Sequence, residues 1–418
     1  MARTPRVRDV FNPIVYGAKG DGQWVENATL TSGSNVITVG TAVFTASDVG
    51  KDIWAVYAGG LILPICQITS VVSSTQIQVS SNATQTTSLA DIHWGTDDTT
   101  ALIRCFQACR DALPSSHTTD TLLYRAGNIR VPAGVYHFKK VILDNYYASA
   151  RAGVGLIGAG AGDTVFVARP DFDWTTTVTN QGMFSRSQNA YEVCVNGITL
   201  HGGKYNWASP TAGTYGAVLG GGSGRRQPLF EDVTVMHFKS LSGGVKIGEM
   251  GGGSISNCCF YNNDGNNLLV VASFVSIYNT LVSNGIGYGL QILNVDGESG
   301  VGYGVNIVGC IFDEHSLATL YLNNSNDVSV IGCRVMAGAN VAAVELVASK
   351  IRVVGSQLVP WHNNANTIGI KLDATSVGYI TNSRVKGSQY SYQNAGQLNG
   401  NGCNVFTGAT NGNALVGS

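Results

Sequence analysis

The chain has 418 residues, a formal net charge of −1 and only 12% charged residues. This balance offers no basic surface for nucleic acid or anionic lipid, and no apolar run is long enough to span a bilayer. The nine cysteines show no CxxC spacing typical of zinc, so neither a metal site nor a cofactor is predicted. The basic first residues precede no apolar stretch, so no signal peptide is predicted.

Three short motifs mark the first 140 residues. Tyr16–Gly22 is turn-rich, Thr96–Thr99 contains helix-capping residues, and Val131–Phe138 begins as a strand. Apolar residues after Thr99 recur at helical spacing, which predicts one amphipathic helix. Such a helix covers the open end of a strand stack, where apolar core and unpaired edges are otherwise exposed. The residues predicted on its apolar face are Ala101, Leu102, Cys105, Phe106, Cys109 and Leu113.

A long insertion separates the first motif from the second. Alternating apolar and polar residues at Asn35–Val39, Asp52–Tyr57 and Thr75–Val79 predict strands. We therefore predict a small antiparallel β-module over about residues 28–92. Contact with a neighbouring protein, contact with a sugar and a purely structural role are all open at this point.

From about residue 193 onward the chain repeats one short phrase every 22–35 residues. The ends of the phrase are apolar, its third position is Gly, Asn or Asp, and its fourth is small or β-branched. Repeats of this period predict a solenoid. The third position predicts a sharp corner, because Gly, Asn and Asp tolerate positive φ. The eight phrases are Val195–Leu200, Phe230–Val235, Ile255–Phe260, Ile277–Val282, Ile307–Phe312, Val330–Val335, Val353–Leu358 and Ile380–Val385.

A second type of strand accompanies the corners, and its apolar–variable–apolar alternation predicts one buried and one exposed face. Two strands and a turn per coil predict an all-β fold, a right-handed parallel β-helix. A β-sandwich with regular turns is the alternative, and the alignment of eight repeats argues against it. Cysteines at the fourth position are expected to be buried. The second strands are Val245–Ile247, Leu269–Val271, Leu290–Ile292, Leu320–Leu322, Val344–Leu346 and Ile370–Leu372.

These patterns predict five segments along the chain. They are 1–27, an arm and the start of the β-helix; 28–92, the inserted module; 93–140, the capping helix and first coil; 141–390, the β-helix; and 391–418, a Gly/Asn-rich end.

The three N-terminal motifs, in this order, resemble the pectate-lyase-like superfamily, and specifically phage tailspikes and related polysaccharide depolymerases. In that family the first motif runs almost directly into the second, so the insertion is a departure. The resemblance covers only about residues 10–140. It implies a groove along an outer sheet, a polysaccharide ligand and a homotrimer. Catalytic residue sets of relatives match no residues here, and some members have no detected catalysis.

We therefore expect a phage tailspike-like virion protein that binds and cleaves a bacterial surface polysaccharide. Its other expected partners are virion tail proteins, and it is expected to assemble in the host cytoplasm. Two alternatives stay open: a non-catalytic structural or adhesive tail component, and a polysaccharide lyase or epimerase that is not attached to a virion.

Candidate catalytic residues are carboxylates that depart from the repeat, because glycosidic hydrolysis needs two of them. Asp313, Glu314 and His315 directly follow a corner phrase, where other coils are mostly uncharged. Asp264 lies in the matching turn two coils earlier, and coil stacking predicts that it lies within roughly 10 Å of Asp313. The alternative is that Asp264 belongs to a turn and that the charged triplet is solvated surface.

Loops that leave the scaffold supply further candidates. The excursion after Asn294 adds Asp296 and Glu298 as catalytic candidates, and Glu249 lies on an aligned strand. Aromatic and basic side chains in irregular segments are candidates for sugar binding, although residues of this kind are more often structural or incidental. They are Trp207, Tyr205, Arg225, Arg226 and Trp361.

Overall fold

The computed structural model contains two β-structures, a small barrel and a solenoid. It describes residues 10–111, 125–140, 153–173, 181–185, 193–204, 214–222, 228–239, 243–250, 252–295, 304–361, 366–394, 397–401 and 405–411. These residues contain one α-helix, α1 (Thr99–Asp111), two 3₁₀ segments, Pro13–Tyr16 and Ala46–Asp48, and a first short strand, β1 (Val10–Phe11). In the described chain, no helix is both long and apolar enough to cross a bilayer.

The insertion forms a closed antiparallel barrel with the strand order β2-β3-β6-β5-β4-β7. Its strands run from Gln23 to Gly95, beyond both ends of the predicted module. A Cβ at Gly95 would lie 2.6 Å from the Gly22 Cα, so the chain enters and leaves the barrel at one point, where two glycines meet. The strands are β2 (Gln23–Leu30), β3 (Val36–Thr38), β4 (Asp52–Tyr57), β5 (Gly60–Ser73), β6 (Gln76–Val79) and β7 (Thr87–Gly95).

The remaining strands pair in parallel, coil upon coil, and confirm the predicted parallel β-helix. In chain order they are β8 (Arg125–Arg130), β9 (Gly134–Lys140), β10 (Gly153–Ile157), β11 (Thr164–Asp173), β12 (Gln181–Ser185), β13 (Val193–His201), β14 (Thr214–Gly222), β15 (Pro228–Met236), β16 (Gly243–Met250), β17 (Ser254–Ser256), β18 (Cys259–Asn263), β19 (Leu268–Val271), β20 (Ser276–Tyr278), β21 (Leu281–Gly285), β22 (Leu290–Leu293), β23 (Val305–Val308), β24 (Ile311–His315), β25 (Leu320–Asn323), β26 (Val328–Ile331), β27 (Arg334–Ala337), β28 (Ala342–Val347), β29 (Lys350–Val354), β30 (Gln357–Pro360), β31 (Ile368–Leu372), β32 (Val377–Thr381), β33 (Arg384–Asn394), β34 (Gln397–Asn401) and β35 (Val405–Asn411).

Each complete coil contributes one strand to each of three sheets. The first sheet contains β17, β20 and β23, the second contains β18, β21 and β24, and the third contains β19, β22 and β25. Parallel pairing continues through β33 and β35, so the predicted boundary at residue 390 lies inside a strand. The coils therefore extend at least to Asn411, into the segment predicted to be a separate Gly/Asn-rich end.

The repeat phrase is the corner between the first and second sheets. Its apolar first and last residues are buried in all eight copies. Its third residue has positive φ in every copy, which confirms the predicted corner, because only residues that tolerate left-handed backbone fit there. These residues are Gly197, Asp232, Asn257, Asn279, Gly309, Gly332, Gly355 and Asn382.

The fourth position of the phrase forms a buried hydrogen-bond ladder. The Cys310 amide donates to Cys333 Sγ at 3.4 Å, and the Cys333 amide donates to Ser356 Oγ at 3.0 Å. Cys258, Cys310 and Cys333 are at most 4% exposed. The prediction of a buried cysteine column is thus confirmed, and its sulfur atoms accept hydrogen bonds from corner amides.

The three N-terminal motifs pack against one another at the start of the solenoid. The Asp98 carboxylate accepts the amides of Lys19 and Gly20 at 2.6 and 3.1 Å, and the Gly22 amide donates to the Val135 carbonyl at 2.9 Å. Burial raises the pKa of Asp98 to about 6. Helix α1 covers this end with the predicted residues, except Leu113, which lies outside the described residues. The buried ones are Ala101, Leu102, Cys105, Phe106 and Cys109.

Candidate functional site

The predicted triplet Asp313-Glu314-His315 is divided between three environments. Asp313 is 7% exposed and lies on the outer face of the second sheet, in one column with Ser283 and Tyr261. Glu314 is exposed and has a φ of 50°, so the chain turns there and His315, at 2% exposure, lies inside the coil. The left-handed residue breaks strand alternation, which is why the expected surface cluster of three side chains does not form.

His315 belongs to a buried amide network. Its Nε2 lies 2.9 Å from Nδ2 of Asn267, and Asn263 Nδ2 donates to Asn267 Oδ1 at 2.6 Å. Burial lowers the pKa of His315 to about 3. The imidazole is therefore neutral and accepts from Asn267, as a structural core residue does.

The two carboxylates predicted to work as a pair have different partners. Asp264 lies 3.2 Å from the Lys239 ammonium in the turn between the second and third sheets. Burial raises the pKa of Asp313, against the opposing effects of the Ser283 hydroxyl and Arg334, and its Oδ1 lacks a hydrogen-bond partner in the described part of the chain. In the described residues, Asp264 and Asp313 do not line a shared cavity of the kind that acid–base catalysis needs. Their assignment as catalytic residues stays a prediction.

Most of the other predicted site residues cannot be placed. Trp361 is half-buried, and its amide donates to the Ala337 carbonyl at 2.9 Å. Outside the described structure lie Asp296, Glu298, Trp207, Tyr205, Arg225, Arg226 and the side chain of Glu249.

A different group of side chains meets between the barrel and the first coils, around a pocket of about 200 Å³. We call it the inter-module pocket. Ligand pockets for drug-sized molecules typically measure ~300–1,000 Å³, so this pocket is smaller than a typical site for such a molecule. Its walls are Trp24, Glu26, Asp91 and His93 from the barrel, and His201, Lys204, Met236, His237 and Tyr261 from the solenoid.

The barrel residues face the pocket because they lie on two adjacent antiparallel strands. Trp24 of β2 is directly opposite His93 of β7, and Glu26 and Asp91 lie two residues further along the same two strands. Residues two apart in a strand share a face, so all four side chains project toward the solenoid. The Trp24 ring is 42% exposed and leaves an aromatic surface at the rim.

The barrel is held firmly against the solenoid. Trp54 and Val56 of β4 are buried in the same apolar cluster as the solenoid core. Beside them, Arg169 of β11, only 3% exposed, forms an ion pair with Asp52 at 2.8 Å. Burial of large apolar side chains stabilises by about 1.5–3 kcal/mol each, so the two walls of the pocket form a fixed arrangement.

On the solenoid side, the pocket lies at the end of the second sheet. His201, Met236 and Tyr261 occupy one column on three successive strands. His237 follows Met236 with a φ of 63°, at the corner where the next coil has Asn262 with a φ of 57°. A left-handed non-glycine residue costs of order 1–3 kcal/mol, and such strain concentrates at functional sites.

One ammonium joins the two carboxylates of the pocket. Lys204 Nζ lies 2.6 Å from Glu26 Oε1 and 3.4 Å from Asp91 Oδ2. The Lys204 ammonium holds the pKa of Glu26 below its usual range, whereas burial raises the pKa of Asp91. Two neighbouring carboxyls whose pKa values move apart are suited to act as acid and base in one reaction.

The histidines of the pocket are neutral. Burial lowers the pKa of His93 and His201 well below the ordinary value, and that of His237 to about 4. The His93 and His201 rings lie 5.8 Å apart, and the His201 and His237 rings 4.8 Å apart. The three imidazoles therefore line the pocket as polar but uncharged groups.

Sequence reasoning missed every residue of this pocket. Glu26 and Asp91 flank the insertion at its two ends, and only barrel closure brings them together. His237 did carry a signal, because it stands at the corner position that is Asn262 and Asn284 in the next two coils.

No protein-family model matches this sequence, and no curated protein matches it either. Among solved structures, the A-module of mannuronan C-5 epimerase AlgE4 from Azotobacter vinelandii is similar over 77% of this chain and 96% of its own, with 16% identity and a TM-score of 0.51. That likeness decides the fold. The chain is a parallel β-helix protein. The resemblance stated from the three motifs is thereby confirmed at the level of fold.

Two further solved structures are similar at lower scores. The enzymatically active domain of tailspike protein 2 from bacteriophage CBA120 is similar over 92% of this β-helix protein and 51% of its own chain, with 12% identity and a TM-score of 0.47. The catalytic unit of the GH87 α-1,3-glucanase from Streptomyces thermodiastaticus is similar over 95% and 97%, with 12% identity and a TM-score of 0.32.

Proposed function

We propose that the protein is a phage tailspike-like virion protein that binds a bacterial surface polysaccharide and hydrolyses it in the inter-module pocket. The observation that carries this proposal is the carboxylate pair Glu26 and Asp91. Glu26 Oε1 and Asp91 Oδ2 both contact the Lys204 ammonium, so these two oxygens lie at most about 6 Å apart. Retaining glycosidases hold their two carboxyls about 5–5.5 Å apart.

The pKa values assign the two roles. Asp91, whose pKa is raised by burial, donates its proton to the glycosidic oxygen as that bond to the anomeric carbon breaks. Glu26, kept ionised by Lys204, attacks the anomeric carbon and forms a glycosyl ester. Water, deprotonated by Asp91, then releases the sugar from Glu26 and restores both groups.

The walls of the pocket suit a sugar. The half-exposed Trp24 ring offers an apolar face for a pyranose, and neutral imidazoles offer hydrogen bonds without charge. The mannuronan epimerase module, which shares the fold, is named for a polysaccharide, and this supports the same ligand class here. The virion location is supported by the sequence resemblance of the N-terminal motifs to tailspikes.

Homotrimerisation and binding to other tail proteins belong to the same proposal. Multi-angle light scattering of the full chain tests the first, with three chain masses expected. Co-purification tests the second: the tagged full chain, mixed with disassembled tails, is expected to retain other tail proteins. A monomer, or no retained tail protein, contradicts the respective part.

A non-catalytic adhesive role is the second candidate, and one observation favours it. The Lys204 ammonium crosses from the solenoid to Glu26 and Asp91 of the barrel, as a purely structural ion pair would. In that case the pocket binds sugar without cleaving it.

One experiment separates these outcomes. The protein is incubated with mannuronan, α-1,3-glucan, and capsules and lipopolysaccharides from a panel of bacteria. New reducing ends without absorbance of unsaturated uronate support hydrolysis. Absorbance indicates a lyase, and binding without shortening indicates the adhesive role. No binding and no shortening across the panel contradicts the proposed function.

A further inference from the structure

A chain of hydrogen bonds in the inter-module pocket has its direction set by one backbone amide. The Gly203 N–H donates to Nδ1 of His201 at 2.9 Å. An amide N–H is only a donor, so His201 Nδ1 carries a lone pair and no proton. The proton of this neutral imidazole is therefore on Nε2.

The position of the proton on His201 fixes the position of the proton on His237. His201 Nε2 lies 2.9 Å from Nδ1 of His237. Since His201 Nε2 carries a proton, it donates, and His237 Nδ1 accepts. The proton of His237 is consequently on its Nε2. Protonation of His237 at Nδ1 would set two N–H groups against each other. Burial independently lowers the pKa of His237 to about 4.

The proton-bearing nitrogen of His237 is the one available to a ligand. His237 lines the pocket, and among the described residues its Nε2 donates no hydrogen bond. The ring stands at 72° to the Tyr261 ring, 5.5 Å away, which limits its rotation. The charged groups that act on it are Lys204, Lys239 and Glu26.

We infer that His237 is a fixed, neutral donor that presents Nε2–H to an oxygen of the bound sugar, and that His201 is the positioning residue that sets this tautomer. The assignment of the acceptor as a sugar oxygen rests on the proposed function, whereas the tautomer does not. Because its basic nitrogen is occupied by His201, His237 is also excluded as the general base. That role falls to a carboxylate.

The test is histidine-selective ¹⁵N labelling of the full chain, followed by long-range ¹H–¹⁵N correlation between pH 5.5 and 8. The His237→Asn variant assigns the His237 signals by their loss. We expect a proton on Nε2, none on Nδ1, and no titration over this range. A proton on Nδ1, a mixture of tautomers, or a midpoint near the ordinary histidine pKa overturns the inference.

Two substitutions at position 201 test the positioning role. His201→Phe removes the donor, so His237 is expected to show mixed tautomers and to titrate at higher pH. His201→Gln retains an amide donor and is expected to restore the single tautomer. If His237 behaves identically in wild type and His201→Phe, the positioning role is wrong. If the wild-type tautomer is as expected and no polysaccharide is bound or cleaved, the proposed function and the sugar acceptor fail together, while the tautomer assignment stands.

Discussion

The inter-module pocket and the Asp313–His315 corner contain similar residues that have different roles. Each has an acidic side chain and a neutral histidine near the end of the second sheet, although the carboxylates of the pocket come from the barrel. At the corner, His315 fills the coil interior and bonds to Asn267. In the pocket, His237 lines a cavity, because the barrel forms a second wall opposite the sheet. At these two places, a departure from the repeat lines a pocket only where a second structural unit faces it.

His315 and His237 also differ in the position of the left-handed residue relative to the histidine. The left-handed residue at the corner is Glu314, which turns the chain so that the following His315 points inward. In the pocket the left-handed residue is His237 itself, and its ring points toward the barrel. The same corner geometry thus buries one imidazole in the core and places the other in the wall of the inter-module pocket.

Acidification is expected to have the largest effect on stability. All five described histidines are buried with lowered pKa values, so the unfolded chain takes up protons below its pKa of about 6.5 while the folded chain does not. Each contributes stability that is present above about pH 6.5 and lost at about 1.4 kcal/mol per pH unit as pH falls toward its folded value. These are His93, His137, His201, His237 and His315.

Asp98 acts in the opposite direction, because its raised pKa of about 6 favours the folded state as pH falls below that value. Asp91 and Asp313, whose pKa values burial also raises, act in the same direction. These three carboxyls do not offset five imidazoles. Urea unfolding at pH 7 and pH 5 measures the balance, and we expect a clear loss at pH 5. His315→Leu removes one of the five buried histidines, so the stability of this variant should fall less between pH 7 and pH 5 than that of the wild type. Equal stability at the two pH values would show that the histidines are not buried as neutral groups.

Loss of either pocket carboxylate is expected to stop cleavage. Glu26→Gln and Asp91→Asn each remove a group that carries charge or a proton in the reaction, so each should lower the cleavage rate by about 10²–10⁴-fold. The measurement is the release of reducing ends. Asp264→Asn and Asp313→Asn are the matched controls and should keep activity within about twofold. The reverse pattern would move the site to the Asp313–His315 corner.

His315→Leu should cost stability and not function. It leaves the Asn267 amide without its acceptor in the core, which costs about 1–3 kcal/mol. Denaturant unfolding measures this loss at neutral pH. The cleavage rate per folded molecule is expected to stay unchanged, and a large decrease would argue that His315 takes part in catalysis.

His237→Asn should have the smallest effect on stability and a clear effect on binding. Asn accepts the left-handed backbone more readily, and the relief of about 1 kcal/mol offsets the lost hydrogen bond to His201, also about 1 kcal/mol. Loss of the donor to sugar is expected to weaken binding about tenfold. Calorimetric titration with the oligosaccharide products measures it. Unchanged affinity would mean that His237 does not contact the ligand.

Much of the fold was predictable from the chain alone because the β-helix repeats the same local rules. Apolar ends and a left-handed third residue recur in all eight phrases, and each copy is a corner for the same steric reason. The barrel was predictable only in part: β3, β4 and β6 show alternation and lie within the predicted strands, whereas β2, β5 and β7 do not stand out. Local periodicity does not report which strands close upon each other.

The sequence by itself thus determined the coil, its cysteine ladder and its capping helix, since these depend on residue types at short, regular spacing. Tertiary structure alone decided the candidate site. Glu26 and Asp91 lie 65 positions apart and meet Lys204 only because the barrel closes and then docks through Trp54 and Arg169. Contacts of that range depend on closure and packing, which no short pattern of residues encodes.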